Sequence, residues 1–282
     1  MQTKITLNNL PGDEIVKKLV AVLITIAILP VTTMAHAESI NLKTQTGNDI
    51  GLSLSSYQYQ EPEFMSLKGA KMGLDLHTTK ALQNDQFIRG DLRFAFGPVD
   101  YNSNGTGSAS GDPDWYIEAR GLVGKDWVLD EAVLAAYTGL GYRYLFNDAR
   151  GITSTGYSGY RRESNYLYLP VGIIHRMALN DQARLESTLE YDLLLVGKQI
   201  TSLSDVGGGY SDATNTQNNG YGLRLSVMYQ KSKWAFGPYA YYWNIGQSDI
   251  IPEIQYGVPT GYGLAEPKNN TVEFGLKASQ QL

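Results

Sequence analysis

The stretch ARLESTLEYDLLLVG, residues 183–197, alternates apolar and polar side chains over an unusual length. Leu189 and Tyr191 share one face, whereas Glu190 and Asp192 share the other. A strict period of two predicts a β-strand. An alternation of about 13 residues is long for a globular strand but suits a tilted membrane crossing. The apolar face must therefore be covered either by a protein core or by lipid.

Nine further segments repeat this period, so we predict ten strands in all. FIRGDLRFAFG, residues 87–97, is typical: Arg89, Asp91 and Arg93 occupy alternate positions, and Leu92 lies between them. A soluble sheet would turn such charges to water. A membrane barrel would instead turn them inward and expose the leucines to lipid.

The predicted connections alternate between short and long. The short ones are residues 79–85, 128–131, 178–182 and 231–233, and the long ones are 102–113, 147–164, 200–218 and 248–269. A short link near residues 60–63 is the exception on the long-loop side. Short turns at one end and long loops at the other are typical of outer membrane barrels.

Aromatic residues gather near the predicted strand ends, which predicts two interfacial belts. We expect these aromatics on the loop side at Tyr57, Tyr59, Tyr142, Tyr144, Phe146, Tyr166 and Tyr221, and on the turn side at Phe87, Trp127 and Trp234.

The N-terminus predicts export. Lys17 and Lys18 precede an apolar run that ends near Val31, and Ala35-His36-Ala37 has the small-x-small pattern of a cleavage site. The run is too short for a membrane-spanning helix. We expect residues 1–37 to be a signal peptide.

The predicted fold is all-β: a transmembrane antiparallel up-and-down β-barrel of about 10 strands, with 8 as the alternative. Residues 38–49 are a short periplasmic segment and residues 50–282 form the barrel. A soluble β-sandwich would explain the alternation but not the unequal connections or the belts. The chain has no cysteine and a formal net charge of −5, so it offers no thiolate metal site and no basic face for nucleic acid.

The chain resembles small bacterial outer membrane β-barrel proteins, the opacity-protein-like, outer-membrane-protein-A-like and porin-like group. The stretches that carry this resemblance include IRGDLRFAFG, YTGLGYRYLF and EFGLKAS. The resemblance implies a monomer in the outer membrane of a Gram-negative bacterium. It also implies contact with membrane lipid, lipopolysaccharide and the barrel-assembly machinery, and no cofactor.

Charges of both signs are expected inside the barrel. They are Asp75, Arg89, Asp91, Arg93, Glu118, Arg120, Arg143, Arg184, Glu186, Glu190, Asp192, Arg224, Glu273 and Lys277. A lumen of eight to ten strands leaves little room for water, so these charges must pair across strands. The favoured interpretation is a closed, salt-bridged lumen, and a narrow channel for small ions or solutes is the alternative.

An outer membrane hydrolase is the second alternative. The resemblance places the sites of such enzymes near the outer rim, where they use histidine with serine or a carboxylate. Both histidines beyond the leader, His77 and His175, are expected at the turn side instead. We therefore predict no enzyme activity and no metal site.

The segment RGITSTGYSGYRRES, residues 150–164, is the candidate surface site. Tyr157, Tyr160, Arg161 and Arg162 are residue types that anchor interfaces, and adjacent arginines could meet phosphates. The predicted role is structural and interactive, through exposed loops and a surface ligand that the sequence does not name.

Overall fold

The computed structural model describes residues 40–282, and the predicted signal peptide lies outside them. Thirteen strands occupy the described residues: β1 (Gly47–Glu61), β2 (Met65–Ala81), β3 (Gln86–Ser103), β4 (Gly107–Val128), β5 (Ala132–Asp148), β6 (Arg161–Asn180), β7 (Ala183–Thr201), β8 (Ala213–Gln217), β9 (Gly220–Lys231), β10 (Trp234–Ile245), β11 (Ile251–Gln255), β12 (Val258–Leu264) and β13 (Asn269–Gln281). No helix in this part of the chain combines the length and apolar character that a membrane crossing requires.

Ten of these strands close into one antiparallel barrel. Neighbouring strands pair in the order β6-β5-β4-β3-β2-β1-β13-β10-β9-β7, and the pairing of β6 with β7 closes the ring. β8 pairs with the end of β7 and continues the crossing that β9 makes. β11 and β12 form a separate hairpin. The prediction of ten crossings is confirmed.

The barrel is inverted with respect to a soluble protein. Leu52 and Leu276 on its outer face are 65% and 66% exposed, whereas Lys71, Asp75 and Glu273 on its inner face are almost completely buried. Strand alternation produces this arrangement because successive side chains point to opposite faces. The soluble β-sandwich interpretation is therefore wrong, and Arg89, Asp91 and Arg93 of the quoted strand do point into the lumen.

The two ends of the barrel differ. At one end, the turn side, strands connect through residues 82–85, 129–131, 181–182 and 232–233. At the other end, the loop side, the wall continues beyond the apolar outer surface. On β3 the outward residues change from Phe94 and Phe96 to Pro98, Asp100 and Asn102.

The strands are longer than the alternation predicted. Residues 102–113 were expected to form a loop, but β3 and β4 extend through them as a paired hairpin whose connection is only residues 104–106. β1 also starts earlier than residue 50, because Gly47 to Asp49 pair with β2. The outward face of these extensions meets water rather than lipid, so it carries Ser, Asn and Gly instead of apolar residues. The sequence therefore shows no apolar–polar alternation there.

The belt prediction was wrong for four aromatic residues. Tyr57, Tyr59, Tyr166 and Phe87 are buried inside the lumen, where they occupy three apolar clusters. Trp127 and Trp234 do face outward and are about half exposed. Proximity to a strand end was the sequence signal, and it does not report which face a residue occupies.

Candidate functional site

The middle of the lumen is filled by a cluster that we call the plug. It consists of Arg93, Glu118, Arg143, Arg224 and Glu273 with the rings of Tyr116, Tyr168, Tyr239 and Trp243. All nine residues belong to barrel strands and alternate with outward-facing residues.

Arg93 holds one half of the plug together. Its Nη1 donates to both oxygens of Asp75 at 2.8 Å, and its Nη2 donates to Glu273 at 2.6 Å. Its remaining hydrogen bonds go to the hydroxyls of Tyr116 (2.7 Å) and Tyr239 (2.8 Å). Planar guanidinium geometry permits such multiple charge-assisted bonds. The buried charges of Asp75, Arg93 and Glu273 are therefore matched.

Arg224 plays the same role in the other half. Its Nε lies 2.7 Å from Asp192 and 3.0 Å from Glu190. Its Nη1 and Nη2 both donate to Glu118, which also accepts a hydrogen bond from Tyr168. Arg224 of β9 thus pairs with carboxylates of the neighbouring β7 and, across the lumen, with Glu118 of β4.

Aromatic rings fill the space around these ion pairs. The Arg93 guanidinium carbon lies 5.0 Å from the centre of the Tyr239 ring, and that of Arg143 lies 4.0 Å from the Tyr116 ring. Such cation–π contacts are favourable when water is excluded. The plug is consequently packed with side chains across the lumen.

A cavity of about 420 Å³, which we call the vestibule, lies between the plug and the turn side. Arg120 crosses its inner end and binds Glu190 and Asp91, each at 2.6 Å. Arg89, Arg184, Glu186 and Lys277 also lie on its wall, and Asp75, Arg93, Glu118 and Arg224 border it from the side of the plug. All 14 predicted lumen charges therefore point inward, but they divide between a filled region and a hollow one.

Residues 40–46 form a strap across the turn-side mouth of the vestibule. The backbone nitrogen of Thr44 donates to Asp126 at 2.6 Å, and the Thr44 hydroxyl donates to the same carboxylate at 2.9 Å. Arg184 donates to the carbonyl oxygen of Asn41 at 3.0 Å. Because Asp126 is buried, the strap is anchored to the inside of the barrel.

Arg162 was predicted to lie on a surface loop, but it points into the loop-side end of the barrel. Its Nη2 binds Glu61 at 2.6 Å and also contacts Glu266, while Tyr59 donates to both carboxylates. Burial, together with the neighbouring Glu61 carboxylate, raises the pKa of Glu266 despite the arginine. The surface assignment of Arg162 was wrong because β6 already begins at Arg161, inside the segment predicted as a loop.

The other three loop candidates divide between paired and exposed positions. Arg161 donates to Asp205 through its backbone nitrogen, Nε and Nη2 at 2.8–3.0 Å, and these hydrogen bonds lower the pKa of Asp205. Tyr160 is partly buried beside Arg162, whereas Tyr157 is 56% exposed. The two adjacent arginines therefore do not form a joint phosphate site, since each already binds a carboxylate.

The histidines lie at the turn side as predicted. His77 is in the vestibule, where its Nδ1 is 2.7 Å from Asp91 and 3.0 Å from Nη2 of Arg89. His175 has the outward parity of Ile173 and is paired with Leu134. Among residues 40–282 no three His, Cys, Asp or Glu side chains are grouped to hold a metal ion.

Several site residues escaped the sequence reasoning. Asp126 and Arg176 continue the inward parity of β4 and β6, but they lie beyond the predicted strand ends. Tyr239 and Trp243 come from WAFGPYAYYWNI, in which both faces are aromatic, so the parity was ambiguous. Extending the alternation past the apolar core of each strand would have found the first two.

The barrel resembles solved structures of bacterial outer membrane proteins. The outer membrane protease OmpT from Escherichia coli aligns with a TM-score of 0.56 and 12% identity, covering 87% of this chain and 99% of that one. This chain has the fold of an outer membrane β-barrel. The translocator domain of autotransporter NalP from Neisseria meningitidis (TM-score 0.40, 12% identity, 96% of each chain) and the COG4313 outer membrane channel from Pseudomonas putida F1 (0.40, 10%, 88% and 100%) also match. No family model and no curated protein matches the sequence.

Proposed function

We propose that this chain is a monomeric outer membrane protein of a Gram-negative bacterium. In this proposal its lumen is closed to ions, it has no enzyme activity, and it acts through its loop-side surface. The observation that carries the proposal is the plug, in which Arg93 and Arg224 bind every neighbouring carboxylate beneath packed rings. The outer leucines supply the apolar surface that lipid would cover. We also propose that the chain belongs to the opacity-protein-like group.

The loop side carries exposed apolar side chains outside the strands of the barrel wall. Ile152 and Tyr157 lie between β5 and β6, and Tyr256 and Tyr262 lie on the β11–β12 hairpin, where they are 78% and 75% exposed. Exposed aromatic and aliphatic residues on a polar surface are characteristic of binding sites. We therefore expect a surface partner there, with lipopolysaccharide as the first candidate.

Thiol labelling of whole cells tests the location and orientation. Because the chain has no native cysteine, Tyr256→Cys and Asp130→Cys each provide one label site, on the loop side and the turn side. A membrane-impermeant maleimide should label the Tyr256→Cys variant in intact cells, and the Asp130→Cys variant only after the outer membrane is permeabilised. Labelling of both variants only in lysed cells would contradict the proposal.

Deletion of residues 152–158 tests the surface role. Ile152 and Ser158 form an isolated bridge that closes this loop, so its removal leaves the wall strands intact. Cells that display the shortened barrel should bind less immobilised lipopolysaccharide than cells with the full chain, at equal surface amounts. Equal binding would exclude this loop as the contact.

The hydrolase alternative predicts an activity that depends on His77. His77→Ala should remove peptide or lipid hydrolysis if His77 serves an active site, whereas we expect no hydrolysis in either protein. Its place in the vestibule, between Arg89 and Asp91, suits an ion-pair network. Purified full chain that hydrolyses either substrate, with loss in the His77 variant, would overturn the non-enzymatic proposal.

A further inference from the structure

One plug arginine differs from the others in its partners. Arg143 is 1% exposed, yet its Nε and Nη1 have no hydrogen-bond partner among the described residues. Its nearest carboxylate, Glu118, is 3.9 Å away and already binds Arg224 and Tyr168. Burying a guanidinium is costly unless its donors find acceptors that replace water.

A second unsatisfied donor lies beside it. The indole nitrogen of Trp243 is buried and likewise has no partner within the described part of the chain. The Arg143 guanidinium carbon is 5.9 Å from the centre of the Trp243 ring. Unpaired donors of this kind are rare in native structures and call for an explanation.

Both residues line the same small cavity between the plug and the loop-side rim. Its volume is about 30 Å³, which is room for roughly one or two water-sized spheres. Asp114 also lines the cavity, but its carboxylate is occupied by Lys71 at 2.6 Å and Asn147 at 3.1 Å. Among the described residues, the groups that line this cavity and lack a partner are therefore donors, on Arg143 and Trp243.

We propose that this cavity binds a single small anion of the halide class, held by Arg143 and Trp243. A monatomic anion would accept hydrogen bonds from both side chains and balance the guanidinium charge, whereas water would supply only the hydrogen bonds. A cavity of about 30 Å³ suits a monatomic anion better than a phosphate or a carboxylate ligand. The bound ion would hold Arg143 against Tyr116 and so keep the plug closed on its loop side.

Bromide quenching of a single tryptophan tests this site. Trp115→Phe, Trp127→Phe and Trp234→Phe leave Trp243 as the only indole of the four in the sequence. At constant ionic strength, with gluconate replaced by bromide, its fluorescence should fall to a plateau, because a bound heavy halide quenches at contact. Arg143→Met in the same background should abolish the plateau, whereas Arg150→Met, which changes an exposed arginine, should keep it.

Quenching that is linear in bromide, or that is unchanged by Arg143→Met, would mean that the cavity holds water and would overturn the proposal. Should Arg143→Met fail to fold, crystals of the unaltered full chain grown in bromide decide the matter. An anomalous peak within hydrogen-bond distance of Arg143 and Trp243 supports the site. An empty cavity in those crystals contradicts it.

Discussion

The plug and the vestibule occupy the same lumen and contain the same kinds of charged residue, but only the plug is filled. In the plug, Arg93 and Arg143 lie against the rings of Tyr239 and Tyr116. In the vestibule, Arg89 and Arg184 face a cavity of about 420 Å³. The difference indicates that ion pairing alone does not close a barrel of this size. In the plug, aromatic side chains supply the volume that ion pairs leave empty, whereas in the vestibule rings such as Phe87 and Tyr137 lie in the wall and leave the cavity open.

The largest expected effect is the loss of a plug arginine. Arg93→Met leaves the buried Glu273 without its ion-pair partner and leaves Asp75 with Lys277 alone, at 3.2 Å. It should therefore lower the free energy of unfolding by about 3–5 kcal/mol. Urea unfolding of the refolded barrel in detergent measures this. The matched control is Arg150→Met, which breaks an exposed pair with Asp148 and should leave stability unchanged. Equal stability of both variants would contradict the role of Arg93.

The plug and the vestibule can be compared directly through one tyrosine hydroxyl in each. Tyr116 in the plug donates to Glu273 at 2.6 Å, and Tyr137 in the vestibule wall donates to Glu190 at 2.6 Å. Tyr116→Phe should cost about 1–3 kcal/mol, because nothing can replace the lost donor. Tyr137→Phe should cost less, since vestibule water can take its place. The same unfolding experiment measures both, and a larger cost for Tyr137→Phe would break the comparison.

The strap should contribute a smaller amount. Thr44→Val removes the hydroxyl that donates to Asp126 and keeps the backbone hydrogen bond, so we expect a loss of about 1 kcal/mol. Thr188→Cys places a thiol label site in the vestibule wall, and its labelling from the turn side should become faster when Thr44→Val is added. Gln45→Ala is the control, because Gln45 is exposed and bonds only within the strap. An unchanged labelling rate with Thr44→Val would show that the strap does not limit access.

The smallest expected effect is on pH dependence at the loop-side rim. Burial raises the pKa of Glu266 above its ordinary value of 4.5, so the folded state holds this proton more tightly than the unfolded state does. The resulting stability is present below about pH 4.5 and is lost as the pH rises through the folded pKa. Glu266→Gln should remove this fall and match or exceed the wild-type stability at pH 7.

Unfolding curves at several pH values between about 4 and 7 check this prediction. The control variant is Glu63→Gln, because Glu63 is exposed in the β1–β2 connection at the same end of the barrel and should reproduce the wild-type profile. A Glu266→Gln protein that loses stability with rising pH as the wild type does would contradict the assignment.

The alternation of residues was sufficient to predict which face each strand turns inward. Arg89, Asp91 and Arg93 point into the lumen because a strand has a period of two, whatever its neighbours are. The contacts across the lumen were not predictable in the same way. Arg93 meets Glu273, and Arg224 meets Glu118, across strands far apart in sequence. Such pairs depend on the tilt and stagger of the closed barrel, which no local pattern encodes.

The strand ends were predicted least well. Arg162 was assigned to a loop, but it lies inside the barrel because the wall continues past the apolar surface. Outside the lipid the outward residues become polar, so the alternation between apolar and polar residues disappears although the strand persists. The plug rings Tyr239 and Trp243 were missed for the opposite reason, since both faces of β10 are aromatic.

Single-channel conductance of the refolded chain in a planar bilayer tests the closed lumen most directly. The wild-type protein, shown to be inserted, should give no steady current. Tyr116→Ala combined with Tyr239→Ala removes two plug rings and should give reproducible small steps, which also proves that the assay detects an open lumen. Ohmic steps from the wild-type protein would contradict the closed plug and establish the channel alternative.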